Sequence, residues 1–276
     1  MRLRITFGGL VVVAAIGCGS SDDGADPGVG DGGDGGVTLD AMTPETSAQD
    51  GGVDAPADAP KDVEAGGPFC ATRSPAPKFC ADFDDANPGA AWTTKTEVPN
   101  NSTVGIDTMV SKSAPASLRG ESRELLATEP GNAALRKTFL EGSTHVRLAF
   151  SGRWNATTFP GGQVAIANID VATNRFFTLY LRNTDSGVAV LEELQGATAT
   201  TTALSSVPAP NTWTRVEIDL DFANGKATVS FDGTKVVDAT TSTTPATEVT
   251  IRVGNVYVTG PLPKLVGNYD DVTLDY

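Results

Sequence analysis

The feature that most constrains the fold is a strict alternation of apolar and polar side chains in the second half of the chain. In residues 145–154 (HVRLAFSGRW), Val146, Leu148 and Phe150 alternate with more polar neighbours. Residues 212–222 (TWTRVEIDLDF) place four apolar side chains on one side and four charged ones on the other. Such alternation predicts half-buried antiparallel β-strands, because successive side chains of a strand point to opposite faces.

Similar runs begin at positions 163, 175, 225, 234, 248 and 270, and Gly, Pro, Asn and Asp separate them. Asn224-Gly225 and Asp232-Gly233 lie between such runs, and these dipeptides favour two-residue hairpins. About a dozen strands in residues 68–276 predict one all-β domain, a two-sheet antiparallel β-sandwich, since a single sandwich often has this length.

Residues 1–17 have the layout of an export signal. A basic N-terminal region with Arg2 and Arg4 precedes an uncharged, apolar-rich run at 5–16. This run is too short to cross a bilayer, which takes about 20 residues, so we expect a signal peptide. The sequence AIGC, which ends at Cys18, resembles the lipobox of bacterial lipoproteins. The resemblance implies cleavage before Cys18 and two acyl chains on it, enough for stable anchoring; the alternative is an ordinary signal peptide that contains a cysteine.

Residues 18–67 form a linker that is rich in Gly, Asp and Pro. From position 19 onward it has 12 acidic residues, one basic residue (Lys61) and no aromatic residue. Such a composition cannot bury enough apolar surface to offset the entropy of ordering, so we expect a disordered, solvated spacer. The alternative, a calcium-binding repeat, lacks a regular period.

The charge of the chain is concentrated in this linker. The formal net charge is −14, while residues 68–276 carry 17 basic and 22 acidic side chains, which is −5. An acidic balance argues against a nucleic-acid partner, because phosphate binding needs clustered Lys and Arg. With Gly19 rather than Asp after Cys18, the enterobacterial sorting pattern favours the outer membrane. We therefore expect an exported, lipid-anchored protein at the outer membrane or cell surface, and a monomer.

Two cysteines remain once Cys18 is acylated. Cys70 and Cys80 are an even pair in an exported and therefore oxidising setting, which predicts a disulfide. Zinc binding is disfavoured, because no further Cys or His cluster completes a tetrahedral site.

Three stretches of the domain resemble concanavalin A-like (LamG-like) jelly rolls. They are FCADFD at 79–84 followed by Trp92, the hairpin from Trp213 to Gly233, and NYDDVTL at 268–274. The resemblance implies that the closing strand pairs near the first one. The superfamily includes lectins, glycan-binding modules, family 16 glycoside hydrolases and alginate-type polysaccharide lyases, so it implies a carbohydrate ligand without fixing the chemistry.

Catalytic motifs of the superfamily are matched only in part. Glu217, Asp219 and Asp221 come close to the family 16 hydrolase motif, but the third acid is Asp rather than Glu, and a solvated acidic strand face is the alternative. Lyases of this fold gather Arg, Gln, His and Tyr side chains around a uronate, and the candidates here are Arg123, Gln163, His145 and Tyr180. However, Ala165 occupies the position at which the Gln-x-His triplet of such lyases has histidine. We therefore assign no catalytic residue.

A glycan-binding sheet would present planar side chains for sugar rings and polar groups for hydroxyls. If Phe177 faces the core, Phe176, Tyr180 and Arg182 face outward, and Arg147 and Arg153 face outward on an earlier strand. Arginines beside aromatic rings favour a carboxylate- or sulfate-bearing ligand. The alternative is structural: Phe176 packs under a loop and the arginines pair with nearby glutamates.

The same resemblance implies one structural Ca²⁺, held by Asp84 near the first strand and Asp270 in the closing strand. Carboxylate oxygens suit Ca²⁺; the alternative is that both only bond turn backbones. The sequence as a whole favours a carbohydrate-binding lipoprotein. The alternatives are a divergent polysaccharide hydrolase or lyase, and an adhesion module that binds protein.

Overall fold

A computed structural model describes residues 68–85, 87–127, 129–159, 161–184 and 187–276, without the side chains of 183–188. The predicted signal peptide, Cys18 and the acidic linker lie outside the described residues. Within these ranges, no helix has the length and apolar character that crossing a membrane requires. One 3₁₀ turn, Phe69–Thr72, precedes the strands.

The strands of the described residues are the following: β1 (Phe79–Ala81), β2 (Thr94–Glu97), β3 (Ser102–Asp107), β4 (Ser117–Ser122), β5 (Pro130–Phe139), β6 (His145–Trp154), β7 (Gln163–Ala172), β8 (Arg175–Thr184), β9 (Gly187–Gln195), β10 (Thr198–Ala203), β11 (Thr214–Asp221), β12 (Lys226–Phe231), β13 (Thr234–Thr240), β14 (Val249–Thr259) and β15 (Leu265–Asp275).

These described strands form two antiparallel sheets, which confirms the predicted sandwich. Sheet I has the order β13-β12-β11-β6-β15-β4-β3, with β1 paired to β15. Sheet II has the order β10-β9-β8-β7-β14-β5-β2. Phe79 of β1 pairs with Leu274 of β15, so the closing strand does pair with the first strand. The β11–β12 and β12–β13 hairpins also form, and the second turns through Asp232 and Gly233 at φ 49° and 78°, the left-handed pair that a tight hairpin needs.

The inner faces of the two sheets pack into one apolar core. Alternation places one side of each central strand inward, as in β11, where Val216, Ile218 and Leu220 are buried between partly exposed charged residues. The largest side chains that are fully buried include Trp154, Tyr269, Phe150, Phe159, Phe177 and Phe222.

The predicted disulfide between Cys70 and Cys80 is present, with a Cα–Cα distance of 5.7 Å. It ties the N-terminal turn to β1. The Cys70 amide also donates a hydrogen bond of 2.9 Å to the carboxylate of Asp82, which fixes the turn from a second direction.

A buried polar chain connects the two sheets through the core. The indole Nε1 of Trp154 donates to the hydroxyl of Tyr269 at 3.0 Å, and that hydroxyl donates to Oδ1 of Asn255 at 2.7 Å. The amide of Asn255 then donates to the carbonyl of Gly120 at 3.1 Å. Trp154, Gly120 and Tyr269 belong to sheet I and Asn255 to sheet II. Because burial without partners is costly, each group in this chain fixes the position of the next.

A bulge in β14 changes which side chains face outward after Asn255. The pairing of β14 with β7 shifts register between Val253 and Tyr257. Gly254 within the bulge has φ 133°, and an added Cβ would lie 2.4 Å from the carbonyl oxygen of Ala133. The bulge therefore requires glycine. Asn255 is buried in phase with Ile251 and Val253, whereas Tyr257, the next residue in that alternation, is turned toward solvent.

Tyr269→Phe removes the hydroxyl that joins the polar chain. It leaves the Trp154 indole N–H and Asn255 Oδ1 buried without a partner, each at a cost of about 1–3 kcal/mol. We expect the free energy of unfolding to fall by about 2–4 kcal/mol in urea denaturation.

The matched control is Tyr276→Phe, at a half-buried tyrosine outside this chain, where we expect a change within about 0.5 kcal/mol. Equal stability of Tyr269→Phe and Tyr276→Phe would contradict the role assigned to the buried chain.

Candidate functional site

A groove runs across the outer face of sheet II. It consists of two adjoining depressions of about 250 and 270 Å³ that share Asn168, Phe176 and Arg252 in their walls. We call it the sheet II groove. The side chains that matter for its chemistry are Asn168, Phe176, Thr178, Tyr180, Arg252 and Tyr257.

Small side chains make the floor on which two tyrosines lie. In the register of the sheet, Tyr180 of β8 is opposite Ala165 of β7, which is opposite Tyr257 of β14. Ala165 packs with Ala134 and Val256 into a small apolar cluster that Tyr180 contacts. Tyr257 is 44% exposed, so one tyrosine is held against the floor and the other projects into solvent.

The next row across the sheet is polar and tightly bonded. Arg252 donates through Nη1 to the side-chain oxygens of Asn168 and Asp170, the latter at 3.0 Å, and its Nη2 lies 3.0 Å from the second oxygen of Asp170. The Asn168 amide donates to the hydroxyl of Thr178 at 3.1 Å. This network holds the guanidinium and the amide in one orientation, which lowers the entropic cost of binding a ligand.

Two more arginines lie next to these rows. Among the described residues, Nε of Arg136 and Nε of Arg182 are buried without a hydrogen-bond partner. Arg136 is opposite Arg252 in the register, and the Arg182 guanidinium lies 5.4 Å from the ring centroid of Tyr180. Burial, with a contribution from Glu192, raises the pKa of Tyr180 to about 12, so its phenol stays neutral at pH 7.

The structure divides the predicted ligand-binding set between the two sheets. Phe176 and Tyr180 line the sheet II groove, and Arg182 lies beside Tyr180. Arg147 and Arg153 lie on β6, a strand of sheet I, so they do not share this surface. Local alternation indicates which side chains face outward, but it carries no information about which sheet a strand joins.

The candidate catalytic acids of β11 form ion pairs and hydrogen bonds on the outer face of sheet I. Glu217 accepts a hydrogen bond of 2.6 Å from Arg147, and Asp219 lies 2.8 Å from the His145 ring. Asp221 accepts hydrogen bonds from the backbone and side chain of Asn224. This arrangement favours the alternative of a solvated acidic strand face.

The candidate lyase residues are also separated. Gln163 and Tyr180 lie in sheet II, on β7 and β8. His145 lies in β6 of sheet I, and Arg123 follows β4 of the same sheet. The structure therefore does not bring the histidine and the tyrosine to one surface.

The two candidate calcium ligands differ in their available oxygens. Asp270 accepts backbone hydrogen bonds from Lys112, Ser113 and Asp271 at 2.9 to 3.0 Å, so its carboxylate holds the 112–113 loop. Burial and the neighbouring Asp271 raise the pKa of Asp270 to about 8. Asp84 Oδ2 is buried and has no partner among the described residues. In that part of the chain, no group of three or more His, Cys, Asp or Glu side chains is arranged to hold a metal.

Arg252, Asn168 and Tyr257 are groove residues that were not predicted from the sequence. Arg252 lies in an alternating run that was recognised as a strand, so its outward orientation was available from the sequence. Tyr257 was hidden by the bulge at Gly254, which interrupts the alternation. Asn168 follows a similar register shift in β7.

The comparisons with known proteins identify the fold. No family model matches the sequence, and no curated protein matches it. Among solved structures, an endo-beta-1,4-glucuronan lyase from the fungus Trichoderma reesei is similar with a TM-score of 0.54 at 16% identity, over 72% of this chain and 95% of that chain. Cellulose induced protein, Cip1, is similar with a TM-score of 0.53 at 13% identity, over 71% of this chain and 96% of that chain. The domain has a concanavalin A-like jelly-roll fold, and at these identities the likeness shows the fold alone.

Proposed function

We propose that the protein binds a polysaccharide in the sheet II groove and holds it at the cell envelope. The observation that carries this proposal is the preorganised row of Arg252, Asn168 and Thr178 beside the two tyrosines. Aromatic faces suit the apolar faces of sugar rings, and fixed amide and guanidinium groups suit sugar hydroxyls.

The arginines favour a polysaccharide that carries acidic groups. Arg252 is already neutralised by Asp170, whereas Arg136 and Arg182 form no ion pair with a carboxylate in the described residues. A carboxylate or sulfate on the ligand would pair with these guanidinium groups through charge-assisted hydrogen bonds. The glucuronan lyase that shares this fold is named for a polymer of uronate units. Its name is consistent with an acidic ligand here, although it describes that protein and not this one.

The cellular part of the proposal rests on the sequence. We propose that residues 1–17 direct export, that Cys18 carries the acyl chains, and that residues 18–67 separate a LamG-like domain from an outer membrane or cell surface. The domain acts as a monomer in this proposal. Two acyl chains give stable attachment that one chain does not provide.

The groove is tested by replacing Tyr180 and Arg182 together with Ala in the full chain. We expect affinity electrophoresis in acidic polysaccharides to show at least a roughly thirtyfold weaker retention, the effect of losing about 2 kcal/mol of central contacts. Circular dichroism and thermal melting verify that the variant folds.

Arg153→Ala removes an arginine from sheet I and should leave retention unchanged. Retention that survives the Tyr180/Arg182 double variant, or that is lost in Arg153→Ala alone, contradicts the groove. Binding to envelope proteins without any polysaccharide would instead favour the adhesion module.

A polysaccharide lyase is the second candidate for the same groove. Tyr180 and Tyr257 line one depression, and Arg182 lies beside Tyr180. β-Elimination needs a proton-transfer group of this kind beside a cation that neutralises the uronate carboxylate. The retention assay distinguishes the two functions when its polysaccharides are also examined for unsaturated chain ends. A hydrolase would release reducing ends without unsaturation.

The membrane anchor is tested with Cys18→Ser, expressed in a bacterial host that processes lipoproteins. We expect the variant to leave the membrane fraction and to appear in the soluble exported fraction, since it has no thiol to acylate. Ser21→Ala is the matched control and should remain with the membrane. Equal membrane association of both variants would contradict acylation at Cys18.

We also propose one structural Ca²⁺ at Asp84, whose free buried oxygen fits a hard cation, with Asp270 holding the loop instead of the ion. Calcium should raise the thermal midpoint of the native chain above its value in EDTA, because a ligand that binds only the folded state stabilises it. Asp84→Asn should abolish this rise.

In EDTA at pH 7, Asp84→Asn should be at least as stable as the native chain. The reason is that burial raises the pKa of Asp84 to about 6, so its ionisation at pH 7 opposes folding. A native midpoint that is the same in calcium and in EDTA would contradict the ion.

A further inference from the structure

A second cleft lies on the outer face of sheet I, away from the sheet II groove. Its volume is about 470 Å³, within the range of pockets for small organic ligands and far above what one ion fills. Residues 72–75 and 77 of the N-terminal segment form one side, and β6, β11 and β15 form the other. We call it the N-terminal cleft.

Three arginines converge on this cleft. Arg147 is paired with Glu217 at 2.6 Å. Within the described residues, the guanidinium group of Arg215 donates only to neutral acceptors, the carbonyl of Asp271 at 2.6 Å and the hydroxyl of Thr273 at 3.1 Å. In that part of the chain, the Arg215 guanidinium has no carboxylate within ion-pair distance, although the residue is partly buried.

Arg73 is the third arginine, and it also has no ion pair within the described ranges. Its guanidinium lies 3.8 Å from the centroid of the Phe69 ring, and that of Arg215 lies 5.5 Å from the same centroid. Both arginines line the cleft, so one ligand in it can contact the two guanidinium groups. Burial, together with the positive charges of Arg73 and Arg147, lowers the pKa of Arg215 to about 10.

The position of Arg73 depends on the disulfide. Cys70 and Cys80 join the N-terminal turn to β1, and the Cys70 amide is bonded to Asp82. The chain from Thr72 to Pro77 is thereby held beside sheet I. A cation on a segment fixed in this way is a preorganised binding group.

The remaining groups of the cleft suit sugar hydroxyls. Glu217 and Asp275 offer carboxylate acceptors, and Ser74 and Thr273 offer hydroxyls. With Arg73, Arg147 and Arg215, the lining carries three positive and two negative charges. One carboxylate of a ligand would neutralise the excess positive charge. A bare oxyanion would leave most of the volume unfilled.

We propose that the N-terminal cleft binds a carboxylate-bearing monosaccharide unit, with the carboxylate between Arg73 and Arg215 and the ring hydroxyls on the acidic side. Arginine suits this role because its planar fork matches a carboxylate in a bidentate way. This site is separate from the proposed polysaccharide groove and does not depend on it.

The experiment is a calorimetric titration of the full chain in the Tyr180→Ala/Arg182→Ala background, so that the sheet II groove contributes little. Sodium D-glucuronate is the probe, D-glucose is its uncharged match, and sodium sulfate is the bare ion. We expect glucuronate to bind at least about tenfold more tightly than either, which is the effect of one charge-assisted contact plus the hydroxyls.

Arg73→Gln, at an exposed position, should weaken glucuronate binding about tenfold or more. Lys226→Gln removes the same charge from β12 of sheet I outside the cleft, and it should leave the affinity unchanged. Reduction of the Cys70–Cys80 disulfide should weaken binding as Arg73→Gln does.

The proposal is overturned by any of three results: glucose binding as tightly as glucuronate, sulfate binding as tightly as glucuronate (an adventitious ion only), or an unchanged affinity in Arg73→Gln. Failure of the cleft leaves polysaccharide retention by the sheet II groove untouched. The two proposals are therefore tested separately.

Discussion

The hydrogen-bonded chain from Trp154 through Tyr269 to Asn255 is the interaction on which the rest of the structure depends. It crosses an otherwise apolar core and fixes where β14 of sheet II lies relative to β6 and β15 of sheet I. Asn255 takes part because it continues the inward alternation of Ile251 and Val253 in β14. The bulge in the same strand presents Tyr257 to solvent, and so it shapes the groove on the opposite side of the sheet. Arg252 lies on the same strand, two residues before Gly254.

The two outer faces of the sandwich have different chemistry although both are rich in charge. On sheet II, Arg252 is neutralised by Asp170, and the surface is dominated by tyrosines and a bonded amide. On sheet I, most acidic side chains of β11 are matched by neighbours, while Arg73 and Arg215 have no acidic partner within ion-pair distance in the described ranges. The first face suits stacking on an extended chain, and the second suits recognition of a single acidic group. The formal charge of residues 68–276 is only −5, which is compatible with the anionic ligands proposed for both faces.

Much of the fold was predictable because it depends on local alternation. The strands β6, β8, β11 and β12 begin within two residues of the positions where the alternating runs begin, and the Asp232-Gly233 turn follows from its dipeptide. The resemblance of residues 79–84 and 268–274 to jelly rolls also predicted the pairing of β1 with β15. By contrast, β2 to β5, β9 and β10 were not among the recognised runs, and the exposed threonines of β10 carry no apolar signal. The grouping of Arg147 with Tyr180 failed because sheet membership is set by pairing between distant segments, and Tyr257 was missed because a bulge breaks the period of two.

The central claim is that sheet II, and specifically the groove over β7, β8 and β14, holds the polysaccharide. Its most direct measurement is nuclear magnetic resonance mapping of the full chain, titrated with a defined acidic oligosaccharide of several sugar units. The account predicts that the largest amide shifts fall in Gln163–Ala172, Arg175–Thr184 and Val249–Thr259, with a smaller separate set around Arg73 from the N-terminal cleft. Shifts confined to sheet I, or spread evenly over both faces, would contradict it.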